Sequence, residues 1–277
     1  HACTDAHLHL LERAKVLGLD WVELVCGDNI SFTPRLTRER ARQLGLRLVL
    51  SPGGLWPMEC DLSLPDPTSQ QRALDWHRRA INLAAEIGAV AYTGALYGHP
   101  GRVERRRPTQ AEYAQVAAHL HALADDAAEQ GVRLVIEPMS HFRTHLVNRP
   151  EQAMQLISLA AHPNLGVLLD TYHLVTEIRD YAAAIRVASP CLWGIHACEN
   201  DRGVPGGGLI PWDQVGAALR AIGFGGYVGL ESYYSGPGGL AEARGLFNDP
   251  CPDGDAFVRA GLAFLRRVFG PHSSPPC

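Results

Sequence analysis

Short apolar runs rich in β-branched residues alternate with longer stretches of helical spacing along the whole sequence. The candidate strands are 21–26, 46–51, 89–97, 133–139, 165–174, 192–198 and 227–233. The candidate helices are about 5–17, 36–44, 68–87, 109–130, 150–161, 180–188, 212–222 and 253–268. This alternation is typical of parallel strands joined by crossover helices.

The number of helices and the chain length favour a closed barrel over an open doubly wound sheet. Eight helices in 277 residues fit a (β/α)8 (TIM) barrel, which commonly has about 250 residues. The strands are apolar on nearly every residue, as a sheet covered on both faces requires. Glycines predicted to end helices precede five of the strands: Gly18, Gly45, Gly88, Gly131 and Gly223. We predict a single barrel domain over residues 1–277, whose first strand is a stub at 1–3 or truncated.

Composition argues against several classes of partner. The net charge of −4 gives no reason to expect nucleic acid, and the basic run 102–107 is short enough to be a solvated loop. The seven cysteines form no CxxC pair, which indicates reduced thiols rather than a zinc cluster or a disulfide framework. No apolar stretch approaches the roughly 18 residues of a membrane span. We therefore expect a cytoplasmic protein without a membrane or nucleic-acid partner.

Ionisable residues follow or close four of the apolar strands. They are Glu137, Asp170 with His173, His196, and Glu231. In a barrel of this type the carboxyl ends of the strands carry the active site, so these groups should converge. Converging carboxylates repel one another unless a cation neutralises them. We predict a divalent metal bound by Glu137, Asp170, His196 and Glu231.

The donor set narrows the choice of metal. Three carboxylates and one imidazole favour Mn²⁺, with Co²⁺ or Mg²⁺ as alternatives, over a structural zinc. Cys198 is a weaker candidate ligand in the same segment. A competing pattern, Asp5-Ala-His7-Leu-His9, is similar to the DxHxH of metal-dependent amidohydrolases, but no apolar strand precedes it and its residues fit the first helix.

The four candidate ligands are separated by 33, 26 and 35 residues, and the segment after His196 reads HACENDRGVPGGGLIPW. These spacings resemble those of the ketose 3-epimerases among the xylose isomerase-like barrels. The segment matches the family pattern at His196, Glu199, Arg202, Pro205, Gly206, Gly208, Pro211 and Trp212. Asp-Thr-x-His at 170–173 and GGLAEARGLFNDP near the C-terminus are also similar to that family.

The resemblance implies epimerisation of a free ketose at C3, of the D-tagatose, D-fructose or D-allulose type, in a homodimer or homotetramer. Glu137 and Glu231 would exchange the proton as paired catalytic bases through a metal-bound enediolate. Arg202 and His173 would bind substrate oxygens, Glu199 would orient Arg202 or a ligand, and Trp56 would wall the pocket.

One position departs from the family pattern. The family commonly has E-x-x-N-R-F/Y-E, whereas this chain has Glu137-Pro-Met-Ser-His-Phe-Arg143. Arg143 thus replaces an acid that contacts substrate, which leaves the sugar and the reaction open. Alternatives with the same metal site are an isomerase like hydroxypyruvate isomerase, an inosose dehydratase-like enzyme and a 3-keto-sugar lyase. An endonuclease IV-like barrel and a non-catalytic sugar-binding barrel fit the residues less well.

Overall fold

The computed structural model describes residues 8–233 and 240–270. Its strands are β1 Trp21–Val25, β2 Arg47–Ser51, β3 Ala89–Gly94, β4 Arg133–Ile136, β5 Leu165–Asp170, β6 Leu192–Ala197 and β7 Tyr227–Leu230. Its helices are α1 His9–Val16, α2 Pro34–Leu44, α3 Pro67–Ile87, α4 Gln110–Glu129, α5 Pro150–Ala160, α6 Thr171–Leu174, α7 Tyr181–Ala188, α8 Trp212–Ala221, α9 Leu240–Ala243 and α10 Gly254–Phe269. A short 3-10 turn covers Met58–Cys60.

The seven strands form one parallel sheet in chain order, from β1 to β7. The two end strands approach each other: the rings of Trp21 and Tyr227 lie 5.3 Å apart, and Tyr227 donates a hydrogen bond to Glu23 at 3.2 Å. The sheet is thus a nearly closed barrel surrounded by helices, which confirms the predicted fold class. The further strand predicted at 1–3 lies outside the described residues.

Capping residues and glycines explain where the flanking helices start and stop. Asp66 accepts a hydrogen bond from the backbone of Ser69 at 2.8 Å, and Thr109 forms a capping box with Glu112. The five glycines predicted to end helices all have positive φ: Gly18, Gly45, Gly88, Gly131 and Gly223. None of the described helices is long and apolar enough to cross a membrane.

The core has two parts, one between the sheet and the helices and one inside the barrel. The inner part is small and comes from several strands: Val49, Ala91, Val135, Leu168 and Tyr227 are buried together. Successive residues of a strand point to opposite faces, so positions two residues further along face the same interior. For Val135, Leu168 and Tyr227 those positions are Glu137, Asp170 and Gly229, and Glu231 follows Gly229 on the same face. The barrel interior therefore turns from apolar to ionisable along the strand direction.

The predicted strand 165–174 is too long. Strand β5 ends at Asp170, and residues 171–174 form the short helix α6. Oδ1 of Asp170 accepts a hydrogen bond from the backbone N–H of Tyr172 at 2.8 Å, so the aspartate caps that turn. The apolar pattern of the sequence continues past Asp170 and so does not show where the strand ends. Because the strand ends at Asp170, this residue lies at the mouth of the barrel, and His173 lies on the turn that follows.

Candidate metal centre and active site

Four side chains from β4 to β7 meet at the carboxyl end of the barrel. Glu137 directly follows β4, Asp170 ends β5, His196 belongs to β6, and Glu231 follows β7. One ligand atom from each lies within 4.8 Å of the others. The register explains part of this convergence, since Asp170 pairs with His196 across β5 and β6. All four ligands predicted from the sequence are thus brought together.

The distances within this cluster fit a bound cation. Nδ1 of His196 lies 3.0 Å from Oε2 of Glu231 and 3.8 Å from Oε1 of Glu137. Nδ1 of His196 has no well-aligned hydrogen bond to any described residue, and Oδ2 of Asp170 has none either, although Nη2 of Arg202 lies 2.8 Å from it. Two ligand atoms that each lie about 2.1 Å from one divalent cation would be about 3 Å apart, which is the separation of His196 and Glu231. Hard, mostly carboxylate donors suit a divalent cation of the Mg²⁺ or Mn²⁺ kind.

The electrostatic potential of the cluster also favours a bound cation. Burial disfavours a charged imidazole, yet the surrounding glutamates, Glu23 first, raise the pKa of His196 well above its ordinary value. Burial raises the pKa of Glu137 to about 7, partly offset by His196. The negative potential that favours positive charge on His196 also attracts a metal ion.

Glu23 on β1 belongs to this site, although sequence analysis did not select it. Its Oε2 lies 3.0 Å from Nε2 of His196 and accepts a hydrogen bond from the hydroxyl of Tyr227. Because a carboxylate can only accept, the imidazole carries a hydrogen on Nε2, and Nδ1 faces the cluster. In the neutral imidazole that a metal ion requires, the lone pair of Nδ1 would point at the other candidate ligands. The one available signal was an acid in the middle of the otherwise apolar run WVELV.

Arg202 lies next to the cluster and neutralises two of its acids. Its guanidinium is 1% exposed, with Nη2 2.8 Å from Oδ2 of Asp170 and Nη1 3.0 Å from Oε2 of Glu231. It also lies over the ring of Tyr172, 4.1 Å from the centroid. Burial opposes the charge, but Asp170 and Glu231 hold the pKa of Arg202 well above its ordinary value. The same charge keeps the pKa of Glu231 well below its ordinary value despite burial.

His173 lies beside Arg202 on helix α6. Its Nε2 is 3.5 Å from Nη2 of Arg202 and 3.8 Å from Oδ2 of Asp170. Burial lowers the pKa of His173 to about 4, so the imidazole is neutral at physiological pH. A neutral imidazole at this place can donate or accept a hydrogen bond to a substrate hydroxyl.

The segment that follows His196 is a loop organised by Glu199. Oε1 of Glu199 accepts hydrogen bonds from the indole N–H of Trp212 at 2.6 Å and from the backbone of Gly206 at 2.7 Å. Glu199 is linked to Arg202 through the backbone, where the N–H of Arg202 donates to the carbonyl of Glu199 at 3.0 Å. The carboxylate of Glu199 therefore holds the loop that carries Arg202, and its direct contact with substrate stays a prediction. The Cys198 thiol lies against Arg202, 2.8 Å from Nη1.

Trp56 and Arg143 are the other two residues predicted to contact substrate, and their surroundings differ from each other. Trp56 is buried in an aromatic cluster, stacked on Trp76 with ring centroids 5.4 Å apart. Arg143 is partly buried on the loop after β4, and its charge reaches His173, whose pKa it helps to lower. Their contacts with substrate stay predictions, as do the catalytic roles of Glu137 and Glu231.

A second acidic cluster, made of Glu104, Glu112 and His145, is already neutralised. Arg106 lies 2.6 Å from Glu104 and 2.7 Å from Glu112, and Arg102 pairs with Glu104 as well. The guanidinium groups occupy the carboxylates that a cation would need. Of the three ionisable residues of the N-terminal Asp5–His9 pattern, His9 lies within the described residues, exposed at the start of α1.

Comparison with known proteins gives a consistent result. The family model described as xylose isomerase-like TIM barrel matches residues 11–268. The D-psicose 3-epimerase of Agrobacterium fabrum is 27% identical, with 94% of this chain and 92% of that protein covered. The ketose 3-epimerase of Arthrobacter globiformis is 28% identical, with coverage of 96% and 92%. The crystal structure of D-psicose 3-epimerase with D-tagatose from Clostridium cellulolyticum superposes with a TM-score of 0.86 at 25% identity, covering 95% and 93%.

Proposed function

Because this chain belongs to the xylose isomerase-like TIM barrel family, we propose that it is an isomerase that epimerises a ketose at C3 with the help of a divalent cation. Relatives named ketose or D-psicose 3-epimerases, 25–28% identical over most of both chains, support the sugar chemistry. The observation that carries the proposal is the meeting of Glu137 and Glu231 in one cluster of side chains that could hold a cation. Mn²⁺ as the cation and assembly as a homodimer or homotetramer stay predictions.

Epimerisation removes a proton from the carbon beside a ketone and returns a proton to the opposite face, so it needs two groups that exchange protons. Glu137 and Glu231 meet this need because they follow β4 and β7, which are separated by two strands around the barrel. Their carboxylates therefore reach the barrel mouth from different directions. In each direction of the reaction one would accept the proton at C3 while the other donates one.

In this proposal Arg202 and His173 form hydrogen bonds with oxygens of the same substrate. The Arg202 guanidinium, held between Asp170 and Glu231, offers fixed donors to a carbonyl oxygen as it gains negative charge. The neutral imidazole of His173 can hold an adjacent hydroxyl. A divalent cation held by Glu137, Asp170, His196 and Glu231 would supply further positive charge beside the reacting oxygens.

Proton exchange in D₂O tests the proposal. Protein loaded with Mn²⁺ is incubated with D-fructose and D-tagatose, and the products are followed by NMR. Deuterium at C3 together with the C3 epimer supports epimerisation. Deuterium at C1 or C2 with an aldose, or loss of water, would instead assign an isomerase or a dehydratase, since those reactions also begin with a proton removed beside a carbonyl.

A further inference from the structure

Two arginines at the barrel mouth, Arg143 and Arg244, have no part in the proposed proton transfer. Both are partly buried. Whereas Arg202 is paired with two acids, no carboxylate among residues 8–233 and 240–270 forms an ion pair with Arg143 or Arg244. Two partly buried positive groups without a counter-charge call for an explanation, because desolvating an unpaired charge costs free energy.

The backbone of Arg143 is held in place from two sides. Its N–H donates to the carbonyl of Ser140 at 2.8 Å, and its carbonyl accepts from the N–H of Gly101 at 2.7 Å. Ser140 is itself buried. The side chain of Arg143 thus extends from a turn with a fixed backbone, which comes shortly after the strand that precedes Glu137.

Arg244 follows the last strand in the chain, and its side chain is held near the end of β2. Its Nη2 donates to the carbonyl of Gly53, which follows β2, and its backbone N–H donates to the carbonyl of Ala241 at 3.0 Å. Nη2 of Arg244 therefore fixes the side chain at the carboxyl end of β2. The remaining donors of a guanidinium are available to a ligand.

Both arginines belong to the carboxyl edge of the barrel, where the candidate metal ligands lie. Arg143 follows β4, and the Arg244 side chain is bound to Gly53 after β2, with β3 between these two strands. The charge of Arg143 contributes to lowering the pKa of His173, and Arg244 is the first charged neighbour that lowers the pKa of Arg143 after burial. Tyr233 interacts electrostatically with both arginines, and its hydroxyl donates to Oε1 of Glu231 at 3.2 Å. Both arginines therefore lie at the edge of the barrel that carries the proposed reaction centre.

We propose that Arg143 and Arg244 bind an anionic group of the substrate, so that this enzyme acts on ketoses that carry a carboxylate or a phosphate. Each guanidinium can donate two parallel hydrogen bonds to such an anion, which also removes the repulsion between the two cations. A neutral hydroxyl accepts hydrogen bonds but brings no compensating charge. This inference rests on the proposed C3 epimerisation and specifies its substrate class.

Direct binding tests this substrate class independently of turnover. The Mn²⁺-loaded protein is titrated calorimetrically with four anionic ketoses, carrying a carboxylate at C1, a carboxylate at C6, a phosphate at C1 or a phosphate at C6. D-Fructose is the neutral reference. We expect at least one anionic compound to bind ten times more tightly than D-fructose or better, and to lose this advantage as ionic strength rises. The preferred compound distinguishes a carboxylate from a phosphate.

Substitution of the arginines tests their part in that preference. In R143Q and R244Q the ratio of anionic to neutral affinity should fall about 10- to 100-fold, the loss expected for a charged hydrogen bond. R143K keeps the positive charge and should retain more of the ratio than R143Q. R105Q removes an exposed arginine elsewhere and should leave the ratio as in the wild type.

The outcomes separate this inference from the proposed function. Tight binding of D-fructose equal to that of every anionic ketose, with an unchanged ratio in R143Q, would overturn the anion site even if C3 exchange is observed. An anionic preference that depends on Arg143, without any exchange at C3, would support the anion site and contradict the epimerase proposal.

Discussion

Nε2 of His196 lies 3.0 Å from Oε2 of Glu23, although the two residues are 173 positions apart in the chain. The contact joins β6 to β1 across the interior of the barrel, and Tyr227 of β7 donates to the same carboxylate. It fixes the imidazole so that Nδ1 faces Glu137 and Glu231. A hydrogen bond of this kind to a metal-binding histidine orients the ring and raises its basicity.

Substituting Glu23 should therefore weaken metal binding before it affects the fold. E23Q keeps the volume of the side chain but removes its charge, and we expect the dissociation constant for Mn²⁺ to rise about 10- to 100-fold. Titration calorimetry of metal-free protein measures this directly. Y227F removes only the hydroxyl that donates to Glu23 and should have a smaller effect. An unchanged constant in E23Q would show that Glu23 does not position His196.

The two glutamates proposed to exchange protons should each be essential for turnover. We expect E137Q and E231Q to slow deuterium incorporation at C3 about 10²- to 10⁴-fold, the usual contribution of a general acid or base. The metal content of each variant must be measured, because both residues are also proposed ligands. E86Q, at an exposed position on α3, is the matched control and should retain the full rate. Normal exchange in either variant at full metal loading would refute the two-base assignment.

Removing Arg202 should destabilise the metal-free protein strongly. R202M leaves Asp170 and Glu231 without their buried partner, which typically costs about 3–5 kcal/mol of unfolding free energy. R202K retains the charge without the two-armed geometry and should lose less. Urea unfolding in the presence of a chelator provides the measurement. If R202M unfolded at the wild-type urea concentration, the ion pairs would contribute nothing to stability.

The hydrogen bond between Trp212 and Glu199 should stabilise the loop that carries Arg202. W212F keeps an aromatic side chain, although a smaller one, and removes the N–H that donates to Oε1 of Glu199 at 2.6 Å. We expect a loss of about 1–3 kcal/mol in unfolding free energy, since a buried acceptor loses its partner. The Michaelis constant should rise with it, because Arg202 is displaced. W212F with wild-type stability and kinetics would argue against this role of Glu199.

Acid should destabilise the fold through His77, which lies far from the metal ligands in sequence. Burial lowers the pKa of His77 from 6.5 to about 3. Between these two pH values the unfolded chain binds a proton that the folded chain does not, so stability is full above about pH 6.5 and falls with pH down to about 3. One such group contributes about 1.4 kcal/mol per pH unit. Urea unfolding from pH 7.5 to 5 should show a shallower fall in H77Q than in the wild type; equal slopes would contradict this.

The sequence predicted the barrel and the four candidate ligands because both follow from chain direction. Parallel strands all end at the same edge of a barrel, so an ionisable residue that closes an apolar run, such as Glu137 or Asp170, must lie at the common mouth. No contact between distant segments has to be known for that conclusion. The end of β5 was predicted four residues too late, since the apolar pattern continues through the helical turn capped by Asp170.

What only the tertiary structure decided depends on how the barrel closes. Glu23 reads as one acid within an apolar strand until the approach of β1 to β7 places it against His196. The charge balance at the mouth is likewise invisible in the sequence, because Arg202 finds two acids within 3.0 Å whereas the equally charged Arg143 finds none among the described residues. Chain direction fixes the edge at which residues meet, but their partners are set by register and loop geometry, which arise only when strands distant in sequence pack together.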